Sequence, residues 1–142
     1  MILTEKDKIV LTPTYHIFNM YKVHGGAILM PASLITEKYN FGNDALPAIS
    51  QTVSRDTSGK IHISLSNINP NKEVKLTVEF NGKSFSKVNN ASILTAPAIN
   101  SVNTFDKPGT VKPGTFKGYT IPGSNRIEVT LPGKSVVMLE LE

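Results

Sequence analysis

The sequence contains no cysteine and no tryptophan, and only two of its fifteen basic residues are arginines. Without cysteine the chain cannot form disulfides, thiolate nucleophiles, or cysteine-ligated zinc or iron–sulfur sites. The compartment stays open between cytoplasm, periplasm and secretion, because a sufficiently large core needs no disulfide outside the cytosol. No apolar run approaches the about 18 residues that a membrane-spanning helix requires, and no basic-then-apolar leader is visible. We therefore expect no membrane span.

The positive charge is spread too evenly to indicate nucleic-acid binding. The net charge is +4, from fifteen basic and eleven acidic residues. The lysines occur singly from Lys6 to Lys134, and only Arg55 and Arg126 offer the guanidinium fork that reads base edges. We interpret the lysines as solubilising and expect no nucleic-acid partner.

The length of 142 residues fits one domain. Area scaling predicts that such a chain buries about 68% of the surface that its unfolded form exposes. A hydrophobic core is therefore possible without disulfides or metals.

The pattern of the first 26 residues predicts one short helix, from Pro13 to His24. Thr12 can cap it, proline suits the first helical position, and Gly25-Gly26 supplies a stop. The helix is apolar on more than one side, which is typical of a helix with partners on both sides. A single small sandwich covers only one of them, so the pattern indicates a further neighbour.

From Ala27 onward apolar and polar residues alternate between closely spaced turns. The alternation is clearest around Ile61–Leu65, Val74–Phe80 and Ile127–Leu131, and Asn81-Gly82 predicts a hairpin. Further strands are predicted at Ala27–Ile35, Ala48–Asp56, Phe85–Val88, Ala91–Ala96, Phe116–Ile121 and Ser135–Leu141. The predicted fold is all-β: an antiparallel β-sandwich of jelly-roll or immunoglobulin-like kind, with eight or nine strands after one short α-helix.

No catalytic set is recognisable in the sequence. Glu73 and Glu79 share a strand face but lie about 20 Å apart, farther than the pairs of carboxylates in glycosidases. His16 and His24 are separated by about 12 Å along the helix, too far to share a metal ion. No nucleophile elbow, phosphate loop or zinc motif occurs. We expect no catalytic residue, no cofactor and no metal in this chain.

Several segments resemble α-L-arabinofuranosidases of glycoside hydrolase family 51. The first runs from Val10 through Leu11-Thr12-Pro13-Thr14-Tyr15-His16-Ile17-Phe18 to Met20-Tyr21, and is similar to the family's LTPTYHVF-x-MY stretch. Asn103-Thr104-Phe105-Asp106-Lys107-Pro108 and the closing segment Ser135–Leu141 are similar to later parts of the family's sequence. The resemblance covers essentially the whole chain.

The resemblance implies that residues 1–26 are the end of the last strand, the following loop and the last helix of a (β/α)8 catalytic barrel. Residues 27–142 are then the C-terminal β-sandwich. The family's two catalytic glutamates lie on earlier barrel strands and match no position here. The implied function is that of a non-catalytic domain. Its parent removes terminal α-L-arabinofuranosyl groups from arabinan or arabinoxylan by a retaining mechanism.

The implied partners are the parent's own barrel, packed on the Pro13–His24 helix, and arabinose-containing polysaccharide bound through the parent. The parent is also expected to be a homo-oligomer. If the barrel is present, Lys6 and Lys8 in the loop after its last strand are candidates for the rim of the sugar site.

A carbohydrate-binding or adhesion module is the alternative function. Sugars in β-sandwich modules usually stack on exposed aromatic rings. Tyr39, Phe41 and Tyr119 are the aromatic residues that the pattern places on loops or strands, and we consider them candidates for stacking.

Overall fold

Two antiparallel sheets form the β-sandwich that the alternating patterns predict. The structure, a computed structural model, describes residues 1–82 and 84–142. The strands are β1 Ile2–Glu5, β2 Lys8–Leu11, β3 Ile28–Leu29, β4 Lys38–Phe41, β5 Asp44–Pro47, β6 Ile49–Arg55, β7 Ile61–Asn67, β8 Val74–Glu79, β9 Val88–Leu94, β10 Gly114–Thr115, β11 Tyr119–Gly123, β12 Arg126–Leu131 and β13 Ser135–Leu141. The larger sheet has six strands in the order β10-β9-β13-β7-β6-β3, and the smaller has three in the order β11-β12-β8. Two further hairpins, β1-β2 and β4-β5, stand outside these sheets.

The main core fills the space between the inner faces of the two sheets. In-register pairing places Ile63 of β7 opposite Leu139 of β13, so that alternate apolar residues of both strands face inward. Both side chains are almost fully buried, and burying a side chain of this size contributes about 1.5–3 kcal/mol. The buried members of this core are Ile49, Ile61, Ile63, Leu65, Val74, Phe85, Ala91, Phe116, Ile127, Val129, Leu131, Val137, Leu139 and Leu141.

The predicted helix forms and packs on the outer face of the larger sheet. Helix α1 spans Pro13–Tyr21, and a 3₁₀ turn continues it over Lys22–His24. The Thr12 hydroxyl accepts a hydrogen bond from the Tyr15 amide at 3.3 Å, so the predicted cap is present. Met20 is buried in a second apolar cluster with Leu94, Val111 and Met138. The larger sheet therefore has the sandwich core on its inner face and the helix on its outer face.

Several segments differ from the predicted strands, among them Phe85–Val88, of which only Val88 lies in a strand, at the start of β9. The segment Ala27–Ile35 forms only the two-residue strand β3, because Pro31 has no amide hydrogen to continue the ladder. The hairpin β4-β5 was not predicted, since almost all of its residues are exposed and it shows no buried face.

The predicted hairpin at Asn81-Gly82 is wrong. Gly82 does adopt a positive φ of 70°, which suits a turn. However, β8 pairs with β12, and the next strand, β9, belongs to the other sheet. The turn therefore carries the chain from one sheet to the other.

The predicted strand Phe116–Ile121 begins only at Tyr119, as β11 of the smaller sheet, where it pairs with β12. The preceding strand β10 pairs with β9 in the larger sheet. Phe116 lies between the two strands in the buried core and is 4% exposed. The chain therefore passes from the larger to the smaller sheet over residues 116–118.

Candidate functional site

The outer face of the larger sheet beneath α1 contains the densest group of interacting polar side chains that the structure describes. Strand register aligns Ser54 of β6, His62 of β7 and Glu140 of β13 in one row across the sheet. Ser64 lies in the next row, beside Met138. We call this group, together with the end of the helix, the helix-bearing face.

His24 attaches the end of the helix to this face. Its Nδ1 lies 2.7 Å from the Ser54 hydroxyl and its Nε2 lies 3.1 Å from the Ser64 hydroxyl. The Ser64 hydroxyl also lies 3.4 Å from the Thr52 carbonyl, to which it donates. The network therefore assigns the His24 proton to Nε2, which donates to Ser64, while Nδ1 accepts from Ser54. Tyr21 adds a contact of 3.2 Å between its hydroxyl and that of Ser66.

His62 lies next to His24 and is only 3% exposed. Its Nε2 donates to the Asp56 carboxylate at 2.9 Å, and its Nδ1 lies 3.9 Å from a carboxylate oxygen of Glu140. Lys60 binds the other oxygen of Glu140 at 2.9 Å. The two imidazole rings meet edge to face with their centroids 6.5 Å apart. Two acids and one lysine thus surround a buried histidine.

The charges of this group shift its protonation equilibria. Burial lowers the pKa of His24, and the neighbouring His62 lowers it further. Hydrogen bonds from His62 and Ser58 hold the pKa of the Asp56 carboxyl well below its usual range. The Glu140 carboxylate raises the pKa of Lys60. The folded state therefore favours a neutral His24 and an ionised Asp56.

Asn103 attaches the loop between β9 and β10 to the N-terminal hairpin. Its amide nitrogen donates to the carbonyls of Leu11 at 2.7 Å and Val111 at 2.8 Å. Its amide oxygen accepts from the Val111 amide at 2.7 Å. Because Asn103 is 4% exposed, these bonds satisfy its buried polar atoms.

The N-terminal hairpin and the far side of the helix expose apolar side chains. Phe18 of α1 is 63% exposed and Ile9 of β2 is 65% exposed, although Met20 and Val10 on neighbouring positions are buried. We call this region the N-terminal apolar surface; its members are Met1, Ile2, Leu3, Ile9 and Phe18. Large exposed apolar side chains near one end of a domain are candidates for an interaction surface.

Lys6 and Lys8 both lie at the tip of the β1-β2 hairpin. Lys6 is in the two-residue turn with a positive φ of 53°, and Lys8 is the register partner of Glu5 at the start of β2. Both lysines are exposed. The hairpin brings these two candidates together, at the opposite end from its contact with Thr12.

The three candidate stacking residues do not form one group. Tyr39 and Phe41 occupy alternate positions of β4, and Phe41 is 76% exposed beside the turn at Gly42. Tyr119 is in the smaller sheet, half-buried against the main core, with its ring 6.2 Å from that of Phe116. Tyr39 and Phe41 therefore share a strand, whereas Tyr119 belongs to a different sheet.

Sequence reasoning missed the network around the two histidines. The alternation of His62, Ser64 and Ser66 placed them correctly on an outward face, but gave no sign that the helix covers this face. The pairing of Asp56 and Glu140 with His62 depends on strand register, which the sequence pattern alone does not define. Within the described residues, no group of three His, Asp or Glu side chains is arranged to hold a metal ion. No helix in the described part of the chain is long and apolar enough to cross a membrane.

Comparison with known proteins identifies the domain. Residues 1–135 match the model of the α-L-arabinofuranosidase C-terminal domain. The chain belongs to this family. It is also 42% identical, over its whole length, to an intracellular exo-α-L-arabinofuranosidase of Bacteroides ovatus, of which it covers 27%.

Solved structures agree with this assignment to glycoside hydrolase family 51. The family 51 arabinofuranosidase from Xanthomonas axonopodis pv. citri superposes with a TM-score of 0.94 at 39% identity, over 100% of this chain and 28% of that one. An α-L-arabinofuranosidase from Thermotoga maritima, solved with arabinose, gives a TM-score of 0.82 at 26% identity, over 98% of this chain and 30% of that one. The α-L-arabinofuranosidase C-terminal domain described here thus spans between a quarter and a third of the length of these relatives.

Proposed function

We propose that the chain is the non-catalytic C-terminal β-sandwich of an exo-acting, retaining α-L-arabinofuranosidase. Residues 1–26 are then the end of the catalytic barrel, and residues 27–142 form the sandwich. The main support is that the matched relatives are three to four times longer than this chain, and the curated one is named as an exo-enzyme. The parent's acid/base and nucleophile are supplied by the barrel.

The N-terminal apolar surface is where we propose that the barrel packs. Met20 binds the helix to the sandwich on one side, while Phe18 on the other side is exposed to solvent in the chain alone. A partner that buried Phe18 and Ile9 would remove two large apolar side chains from water. Full burial of each side chain would stabilise the contact by about 1.5–3 kcal/mol. The helix would then serve as the shared layer between the two domains.

In this arrangement the tip of the β1-β2 hairpin would lie near the substrate. In (β/α)8 barrels the segments after the strands line the active-site face. Lys6 and Lys8, at the turn that follows β1, would border the sugar site and supply donors to arabinose hydroxyls. Arabinose-containing oligosaccharide would therefore reach this chain only at the hairpin tip.

A chimera tests the proposal. The C-terminal quarter of the Bacteroides ovatus relative is replaced by this chain, and activity on an aryl α-L-arabinofuranoside is measured. We expect a folded, active enzyme whose activity and melting temperature fall with Phe18→Asp but not with Ile35→Asp, the latter residue being 96% exposed outside the N-terminal apolar surface. Lys6→Ala with Lys8→Ala should raise KM and leave the melting temperature unchanged.

Two outcomes would contradict the proposal. An inactive chimera would argue against the domain assignment. Equal effects of Phe18→Asp and Ile35→Asp would show that the barrel does not pack on the N-terminal apolar surface. An unchanged KM in the lysine double variant would remove the rim role alone.

A further inference from the structure

The outer face of the smaller sheet contains an open groove of about 500 Å³. Register places Thr120 of β11, Glu128 of β12 and Thr77 of β8 in one row across the three strands. The next row has Thr130 beside Lys75, and the Thr130 amide donates to the Gly118 carbonyl at 2.8 Å. Lys117 completes the lining on the far side. We call this surface the sheet groove.

The polar groups of the sheet groove are mostly free to bind a ligand. Among the described residues, the hydroxyls of Thr77, Thr120 and Thr130 form no hydrogen bond to another part of the chain. Lys75 and Lys117 likewise have no ion pair within the part of the chain that the structure describes. The groove thus presents three hydroxyls between two cationic side chains.

The one acid in the groove is already partly neutralised. Glu128 lies 3.5 Å from the Arg126 guanidinium, which also lies 3.9 Å from Glu79. These three charged groups occupy one end of the sheet face, whereas Lys75 and Lys117 flank the other end, at Thr130. The lysine end therefore favours an anion.

Gly118 shapes the floor of the groove. A Cβ at this position would lie 2.8 Å from the Phe116 ring and 2.8 Å from the Thr130 carbonyl. Only glycine therefore lets the backbone after Lys117 pass this close to β12 and the buried Phe116 ring. Leu76, Val129 and the half-buried Tyr119 also line the groove.

We propose that the sheet groove binds an oligosaccharide that contains uronic-acid units. The threonine hydroxyls exchange hydrogen bonds with sugar hydroxyls, and Lys75 and Lys117 bind the carboxylate through charge-assisted hydrogen bonds. A neutral sugar would gain no charge-assisted hydrogen bond from Lys75 or Lys117. A phosphate diester is disfavoured, because the only arginine near the groove is already paired with Glu79 and Glu128. This site is separate from the proposed barrel contact and does not depend on the parentage of the chain.

Titration of the 142-residue chain tests the inference. Heteronuclear NMR spectra and calorimetry are recorded with trigalacturonate, with neutral arabinotriose and with inorganic phosphate. We expect saturable binding of trigalacturonate, with shifts centred on Thr77, Thr120 and Thr130. The affinity for arabinotriose should be at least about tenfold weaker, because a neutral sugar gains no charge-assisted hydrogen bond from the two lysines. Phosphate alone should not saturate.

Matched variants separate the groove from the overall positive charge. Lys75→Ala with Lys117→Ala should weaken trigalacturonate binding at least about tenfold. Lys22→Ala with Lys38→Ala removes the same charge from exposed positions elsewhere and should leave binding unchanged. Thr77→Val keeps the shape, removes one hydroxyl and should cause a smaller loss.

Four results would overturn the inference. They are no binding of trigalacturonate, equal affinity for arabinotriose, equal loss in the two double-lysine variants, and shifts that map away from the groove. The dispersion of the spectra shows in each case that the variant is folded.

Discussion

At the scale of single residues, His24 is the side chain whose protonation matters most for the join between helix and sandwich. Each of its ring nitrogens contacts a serine hydroxyl of the larger sheet, and His62 lies beside it. The charged groups that face the pair are Asp56 and Glu140, with Lys60 bound to the latter. The surroundings are arranged for an uncharged His24.

The first prediction is a loss of stability on mild acidification. The folded state lowers the pKa of His24 from 6.5, so the unfolded chain binds more protons between the two pKa values. The contribution of His24 to the free energy of unfolding is therefore fully present above about pH 6.5, and it is lost as the pH falls through the pKa of the folded state. Urea denaturation from pH 7.5 to pH 5 should show this decline, and His24→Gln should flatten it.

The control for this prediction is His16→Gln, on the same helix but outside the network. It should leave the pH dependence of the free energy of unfolding the same as in the unsubstituted chain. A second, more acidic loss is expected from Asp56, because its lowered pKa contributes stability above about pH 4 that disappears as it becomes protonated. An unaltered slope in His24→Gln would contradict the assignment of the first window to His24.

Other residues show how far the sequence alone could lead. Thr12 and Pro13 defined the start of the helix correctly, because capping depends on neighbours in the chain. Asn103 lies in a motif recognised by resemblance, yet its bonds to Leu11 and Val111 required the fold. The group around His62 could not be predicted, since it depends on the register of three strands.

At the scale of elements, the helix is the part of the chain with two different apolar sides. Met20 and its cluster cover the outer face of the larger sheet, whereas Phe18 is exposed. The sequence predicted the helix, because the 3.6-residue period records which sides are apolar. The second partner on its exposed side stays a prediction. The sequence did not predict the 3₁₀ turn at Lys22–His24, which positions His24 over Ser54 and Ser64.

The second prediction distinguishes these two sides in the chain alone. Met20→Ala should reduce the free energy of unfolding by about 2–4 kcal/mol, because it leaves a cavity in a packed cluster. Phe18→Ala should change it by no more than about 0.5 kcal/mol, because the ring is already in solvent. Equilibrium urea denaturation of both variants provides the comparison. A larger effect of Phe18→Ala than of Met20→Ala would contradict the packing described for the helix.

Strand prediction worked where one face is buried. β7, β12 and β13 alternate clearly and were located to within a residue or two. The exposed hairpin β4-β5 gave no such signal, and the turn at Asn81-Gly82 predicted a hairpin between strands that belong to different sheets. Local turn chemistry defines a reversal of the chain, but not which strand becomes the partner.

At the scale of the whole molecule, the sandwich has its own core and an additional surface that lacks a partner. The main core is closed between two sheets, while the N-terminal apolar surface is open. The chain spans 27% of the Bacteroides ovatus relative and 28% of the Xanthomonas axonopodis structure. The sandwich therefore folds around its own core as one part of the length of these relatives, and a catalytic barrel on the open surface is the partner that we propose.

We propose that this chain carries no glycosidase activity of its own. The most direct measurement is the release of the aryl group from an aryl α-L-arabinofuranoside by the purified 142-residue chain, at high enzyme concentration. We expect no release above the rate in buffer, at any substrate concentration. Saturable turnover that co-purifies with the folded chain, and that is lost on its denaturation, would contradict the account.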